Sequence, residues 1–457
     1  MKMLSGVTAT ASVLGICLAG APAQASDDLW TRDTLTGDWG GSRSDLSAHG
    51  VDIGLAYVGE ALGDVSGGMK RGWSYEGRAE LDLDLDLDKL LGWQGGTAHA
   101  SVFQIHHTNG TPAATYTGSL ADPSNIEARQ ATRLYTLWLQ QDFFGDAISV
   151  RAGQLAADDE FLTSETAGSL INGTFGWPVL TSANQTSGGP GYPLPTPGVR
   201  VAVEPTESIT IRAGVFSGDP AGDDCFDDAQ VCNKHGTTFS MSGGTLWMGE
   251  IQYAIDQGEG EGLPGVYKLG GWYETGNFAD QRYGFDSGGA LVSQADPGFA
   301  ETYDHSGDHG IYAIADQTVW HDKNGHALSI FARTGGAPSD RNLVSFYADG
   351  GLGYVGLIPG RDNDTLALGV AYMKISGDAR NLDRDTQALT ADPAYPLRDH
   401  ETVFELSYTA QVAPWWSVQP DFQYIVHPGG HVTNPEDASG DTIDNATVMG
   451  VRTSFTF

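Results

Sequence analysis

The chain has 457 residues, with 58 acidic residues against 24 Lys plus Arg and a formal net charge of −34. That balance argues against nucleic acid as a partner and against attraction to an anionic membrane surface. Charged residues are 18% and aromatics 10%, so this is not a disordered acidic polymer.

Residues 1–25 read "MKMLSGVTATASVLGICLAGAPAQA". Lys2, an apolar stretch over Val13–Ala19 and the small-x-small pattern Ala23-Gln24-Ala25 mark a signal peptide cleaved before Ser26. Cleavage there removes Lys2 and no acid, taking the net charge from −34 to −35. No later stretch supplies the roughly 18 apolar residues of a spanning helix. The exported chain is therefore either soluble or an outer-membrane β-barrel.

Residues 26–51 form an N-terminal periplasmic segment, in which Ser42–His49 suits a two-turn helix stopped by Gly50. From residue 52 to 457 the pattern turns to strands. Sixteen runs are expected, near 52–61, 74–88, 96–107, 130–141, 147–156, 197–205, 208–217, 244–256, 265–277, 309–320, 326–336, 344–355, 365–376, 401–411, 416–427 and 445–457. Short gaps such as "EPTES" and "HDKNGH" alternate with long ones, including 108–129, 157–196, 218–243, 278–308, 377–400 and 428–444. Long-short alternation with an even strand count is the signature of an all-β, antiparallel up-and-down transmembrane barrel with both termini in the periplasm.

The faces support this. In "AELDLDLDLDKLLGW" (79–93), Ala79, Leu81, Leu83, Leu85 and Leu87 would face lipid, while Glu80, Asp82, Asp84, Asp86 and Asp88 would face a wet lumen. Ten residues at about 3.3 Å each, tilted by about 40°, rise roughly 25 Å, the height of the apolar band. "ISVRAGQ", "TIRAGVF", "TVFELSYTAQV" and "VQPDFQYIV" alternate in the same way, whereas "TAHASVFQIHH" does not declare its faces. Trp93, Phe143, Phe144, Trp320, Tyr354, Trp415 and Trp416 sit near run ends, as interfacial girdles do. The chain ends "VMGVRTSFTF", an amphipathic strand finishing on Phe457, a mark read by barrel-assembly machinery.

Cys225 and Cys232 suit a local disulfide in an oxidising compartment, in preference to a metal site with the aspartates around them. His106 and His107 read as strand-end residues rather than metal ligands with His99. "GEGEG" (258–262) is an acidic turn, not a phosphate loop. The acidic stretch 218–235 suits divalent cations shared with lipopolysaccharide. No cofactor is implied.

"LTGDWGGSRSDLSAHGVD" (35–52), "LDLDLDLDKLLGWQGG" (81–96), "TRLYTLWLQQDFF" (132–144), "VRAGQLAADDEF" (150–161), "GLIPGRDND" (356–364) and "WSVQPDFQYIVHPGG" (416–430) together resemble the carbohydrate-selective porins of Gram-negative outer membranes, the OprB type. The resemblance implies a 16-stranded barrel and passive, sugar-preferring diffusion. A sugar pore needs hydroxyl partners and aromatic surface. The 157–196 connection is the expected constriction loop, carrying Asp158, Asp159, Glu160, Asn172, Phe175, Trp177 and Tyr192. Arg151, Arg200 and Arg212 would face it, with Asp82, Asp84 and Asp86 further along the wall. Salt bridging within the wall and packing within the loop are the competing roles for these residues. The acidic excess suggests a competitor, a cation-preferring general porin. A secreted β-rich glycosidase or sugar-binding protein is a second, but no acid–nucleophile carboxylate pair stands out.

Overall fold

The computed structural model describes residues 28–108, 113–258 and 262–457. The expected signal peptide, and residues 259–261 of the acidic turn, lie outside the described residues. Among the described residues, seventeen strands form one sheet. They are β1 (Val51–Gly68), β2 (Gly72–Asp86), β3 (Gly96–His107), β4 (Ala131–Phe143), β5 (Ile148–Leu155), β6 (Thr196–Thr206), β7 (Ile209–Ser217), β8 (Thr245–Ile255), β9 (Gly265–Asp286), β10 (Leu291–Ser293), β11 (Phe299–His321), β12 (Ala327–Gly336), β13 (Val344–Val355), β14 (Thr365–Ile375), β15 (His400–Ala413), β16 (Trp416–Val426) and β17 (Asp444–Thr456).

The three-residue β10 only decorates β9. The other 16 pair antiparallel with their chain neighbours, and β17 pairs with β1, so the barrel closes without an edge. Each expected run falls in one wall strand, in order. Glu60 of β1 lies opposite Arg452 of β17 in the closing register, and the two side chains form an ion pair inside the barrel.

The outer surface is apolar where the register is most regular. Leu352, Leu368, Leu406, Phe422 and Met449 lie side by side across five strands. Leu368, Leu406, Phe422 and Met449 are between 37% and 45% exposed. A contiguous belt of that kind is stable against lipid and a liability in water. The alternate residues point inward and are polar: Glu405 is 1% exposed and Gln423 0%. Aromatic rings close the belt at the end that carries the termini, as in Trp320 with Tyr354 and Trp416 with Phe455. Trp415 instead packs beneath the N-terminal segment, its indole N–H donating to the Leu29 carbonyl at 2.7 Å.

Four features differ from expectation. The opening connection at the loop end is only residues 69–71, because β1 and β2 continue as one long hairpin. β9 and β11, at 22 and 23 residues, are about twice as long as a membrane crossing requires, so their hairpin projects beyond the band. Residues Gly377–Thr390 form a helix that the alternation of strands did not reveal. Finally, β2 ends at Asp86, and Leu87 and Asp88 begin the helix Leu87–Leu91, so Leu87 is 7% exposed rather than facing lipid.

At the termini end, the helix Ser42–Ala48 is followed by Gly50 at φ 89°. A Cβ at Gly50 would lie 2.8 Å from the Asp86 carbonyl oxygen, so the close approach to β2 requires glycine. Arg43 stacks over Trp39 and donates to the carbonyls of Ile53 and Phe457. One side chain thus joins the N-terminal segment to the first strand and the last residue.

Candidate functional site in the lumen

The segment between β5 and β6 does not extend away from the barrel. It runs around the inside, held by side chains of successive strands. Leu162 N–H donates to Glu250 of β8, Lys268 of β9 donates to the Thr163 carbonyl, and Ser164 Oγ donates to Asp316 of β11. Arg333 of β12 donates to the Leu162 and Thr174 carbonyls while paired with Asp349 of β13. Glu405 of β15 accepts from the Ile171 and Asn172 N–H groups. These wall groups satisfy backbone that would otherwise be buried without partners.

A second loop, 113–130, also turns inward, which the sequence reading did not anticipate. Glu401 accepts from Ser119 Oγ and from the N–H groups of Leu120 and Ala121. The two loops are sewn together, with Asn125 N–H donating to the Ile171 carbonyl and Gly173 N–H to the Asp122 carbonyl.

Opposite them, a polar ladder runs along the inward face of β2 to β7. Glu160 is its centre. One Glu160 oxygen lies 2.9 Å from Arg151 Nη1 and the other 2.5 Å from Arg200 Nε. Arg212 donates to the Glu160 backbone carbonyl at 2.8 Å. Gln140 Oε1 accepts from both Arg151 and Arg200. The Arg151 guanidinium stacks 3.8 Å over Trp138, His99 stacks on the same indole, and Asp84 reaches His99 at 2.7 Å. Next to this, Arg78 pairs with Glu80 and lies over Phe103 and Tyr192.

The expected residues therefore separate. Arg151, Arg200, Arg212 and Glu160 meet in one cluster. Asp158 is half-buried, and its carboxylate accepts from the Tyr192 N–H at 2.8 Å. Asp159 is half-buried beside it. Asp82 and Asp84 are inward on β2, and Asp84 is engaged by His99. Two expectations are corrected. Asp86 is no pore contact; it caps the helix Leu87–Leu91, accepting from the N–H groups of Asp88 and Lys89. Trp177 is 7% exposed and donates to the Gly188 carbonyl at 3.0 Å, so it packs the loop instead of touching solute. Asn172 and Phe175, at 0% and 2% exposed, are likewise loop packing. His99 faces inward, while His106 packs against Tyr57 and Tyr75 on the outer face, so the two cannot share a metal. The Cys225 and Cys232 sulfurs are 2.06 Å apart, at bonding distance.

On the loop itself, burial pushes the Asp158 carboxyl up to about 6, against the stabilising bond from Tyr192. Burial, then Asp158 and Glu160, hold Asp159 well above the usual carboxylate range. Such a group binds its proton as pH falls through about 6 and loses its negative charge there. Cation preference, read from reversal potentials in planar bilayers, is therefore expected to fall between pH 7 and pH 5. Asp158→Asn should flatten that change, and a pH-independent wild type would exclude the assignment. Because the folded form holds the extra proton, this group favours folding more at pH 5 than at pH 7.

A closed, edge-free barrel with a lipid-facing belt, a polar lumen and an inward loop is the architecture of an outer-membrane porin. The family model for "Carbohydrate-selective porin, OprB family" matches residues 70–457. The chain belongs to that family. It is 29% identical to Porin B of Pseudomonas aeruginosa, covering 97% of this chain and 95% of that one. It is 23% identical to the putative porin QuiX of Acinetobacter baylyi, covering 93% and 96%. The high-pH structure of Pseudomonas putida OprB superposes with a TM-score of 0.82 at 26% identity, covering 94% of this chain and 100% of that one. The protein is thus a sugar porin of the outer membrane, a channel rather than an enzyme by family and fold.

Proposed function

We propose that sugars cross alongside the loop carboxylates Asp158, Asp159 and Glu160 and the wall arginines Arg151, Arg200 and Arg212, which the Glu160 pairs hold together as one face of the channel. The carrying observation is the pairing at Glu160, whose two oxygens engage Arg151 and Arg200. Paired charges present donors and acceptors side by side but little net field. A neutral polyol can bridge them, while a small ion gains less from them than from a bare charge. Arg212, half-buried and bonded to the Glu160 carbonyl, has further N–H donors for a hydroxyl. Binding at such a site stays weak, as passage requires.

Arg212→Ala is expected to slow sugar entry into liposomes several-fold while leaving the barrel folded. Unchanged flux with unchanged sugar preference would remove Arg212 from the pathway. Asp82, Asp84, Asp158 and Asp159 add negative charge along the same route, favouring a secondary cation preference. In this reading residues 1–25 direct export, the final strand with Phe457 is the assembly mark, and the acidic loop 218–235 meets lipopolysaccharide through divalent cations.

A further inference from the structure

At the loop end of the barrel, two connections converge above β15 and β16. Asp399 immediately precedes β15, and His427 immediately follows β16. In "HPGGH" (427–431) the chain reverses sharply, with Gly429 and Gly430 at φ 69° and 80° and the two histidines at 53° and 77°. This turn stacks the His427 and His431 rings, their centroids 4.2 Å apart. His427 Nδ1 lies 3.0 Å from Asp399 Oδ1, and Asp399 N–H donates to the Gly430 carbonyl. One ligating atom from each of Asp399, His427 and His431 lies within 4.8 Å of the others. His400 adjoins them, with Nδ1 3.3 Å from Asp399 Oδ1. The neighbouring charges are already engaged: Arg398 with Asp383, and Glu401 with Ser119 and the Gly429 N–H.

We propose that Asp399, His427 and His431 bind a divalent transition metal of the zinc type, with His400 adjacent as a fourth donor. Two imidazoles and a carboxylate are borderline ligands that suit zinc better than calcium or magnesium. A tetrahedral site with metal–nitrogen bonds of about 2.05 Å needs ligand atoms about 3.3 Å apart; those of Asp399, His427 and His431 lie within 4.8 Å of one another, so the ion would draw them closer. The bound ion would staple the connection after β14 to the turn after β16. Arg398 and Val432, next in sequence to these ligands, line with Thr433 a cavity of about 370 Å³ in the mouth. Metal binding would therefore stiffen the rim of the entrance.

The test uses the full porin without a histidine tag, in detergent and stripped with EDTA. Titration with zinc alone is expected to show one equivalent bound per chain, and cobalt should give a tetrahedral visible spectrum. His431→Gln should weaken zinc binding by at least about tenfold, and Asp399→Asn should act likewise. A large excess of calcium should not displace the zinc. Heat-modifiable gel migration confirms that each variant is folded, and whichever is folded decides the question. Absence of stoichiometric zinc binding, equal affinity in the folded variant, or displacement by calcium would each overturn the proposal.

Discussion

Replacing Glu160 with Gln is expected to abolish sugar preference and to turn the channel toward anions. Glu160 is the only carboxylate within ion-pair distance of both Arg151 and Arg200 among the described residues. Both arginines are nearly enclosed, at 8% and 5% exposed. Without the carboxylate they face each other with only Gln140 as a shared acceptor. Removing one partner of a buried pair typically costs about 3–5 kcal/mol, because the remaining charge is uncompensated. Here the cost falls on the docking of the loop rather than on the barrel wall. The expected readings are a reversal potential shifted toward anion preference and noisier open-channel current. Sugar-dependent reduction of current should be lost. Wild-type values on all three would mean that the Glu160 cluster is structural only.

Arg333→Met should have the largest effect on how the loop is held. Arg333 is 4% exposed, pairs with Asp349, and donates to loop carbonyls at Leu162, Gly176 and Thr174. Tyr347 OH donates to the same Asp349 carboxylate at 2.7 Å. The single substitution strands a buried carboxylate and several carbonyls, again at about 3–5 kcal/mol. Heat-modifiable migration should shift to lower temperature, and conductance should rise as the loop swings from the wall. Arg333→Met combined with Asp349→Leu should recover much of the thermal loss, since no unpaired charge remains. Equal loss in the single and double variants would show that the loop contacts of Arg333, not its charge, dominate.

The wall was legible in the sequence because its two solvents impose a period of two. Leu81, Phe404 and Leu406 face lipid as their alternation requires, with carboxylates between them. The rule broke where the inward face is itself partly apolar. In β3 the inward set is His99, Ser101, Phe103 and Ile105, while Ala98, Ala100 and Val102 point outward, so hydrophobicity alone cannot tell them apart. It broke again at the register shift between Ala100 and Val102 in the pairing with β4. There Tyr135 and Thr136 are both buried, and the parity of β4 changes before Trp138 and Gln140. Trp138 and Gln140 were therefore missed, though they support and bridge the arginines. Arginines at alternating wall positions gave the cluster a signal. Trp177 and Asp86 misled because residue type says nothing of burial inside a loop, or of a strand ending two residues early in a helix cap. The Asp399, His427 and His431 group had no linear signal, since its members come from two different connections.

The most direct test of the sugar pathway is planar-bilayer conductance of the purified porin with a panel of mono- and disaccharides, repeated with Glu160→Gln. Wild-type current should fall on sugar addition more than with a size-matched neutral solute lacking the ring hydroxyls, and Glu160→Gln should erase that difference. A response that follows solute size alone, identical in both proteins, would contradict passage along the face that the loop carboxylates and the arginine wall form.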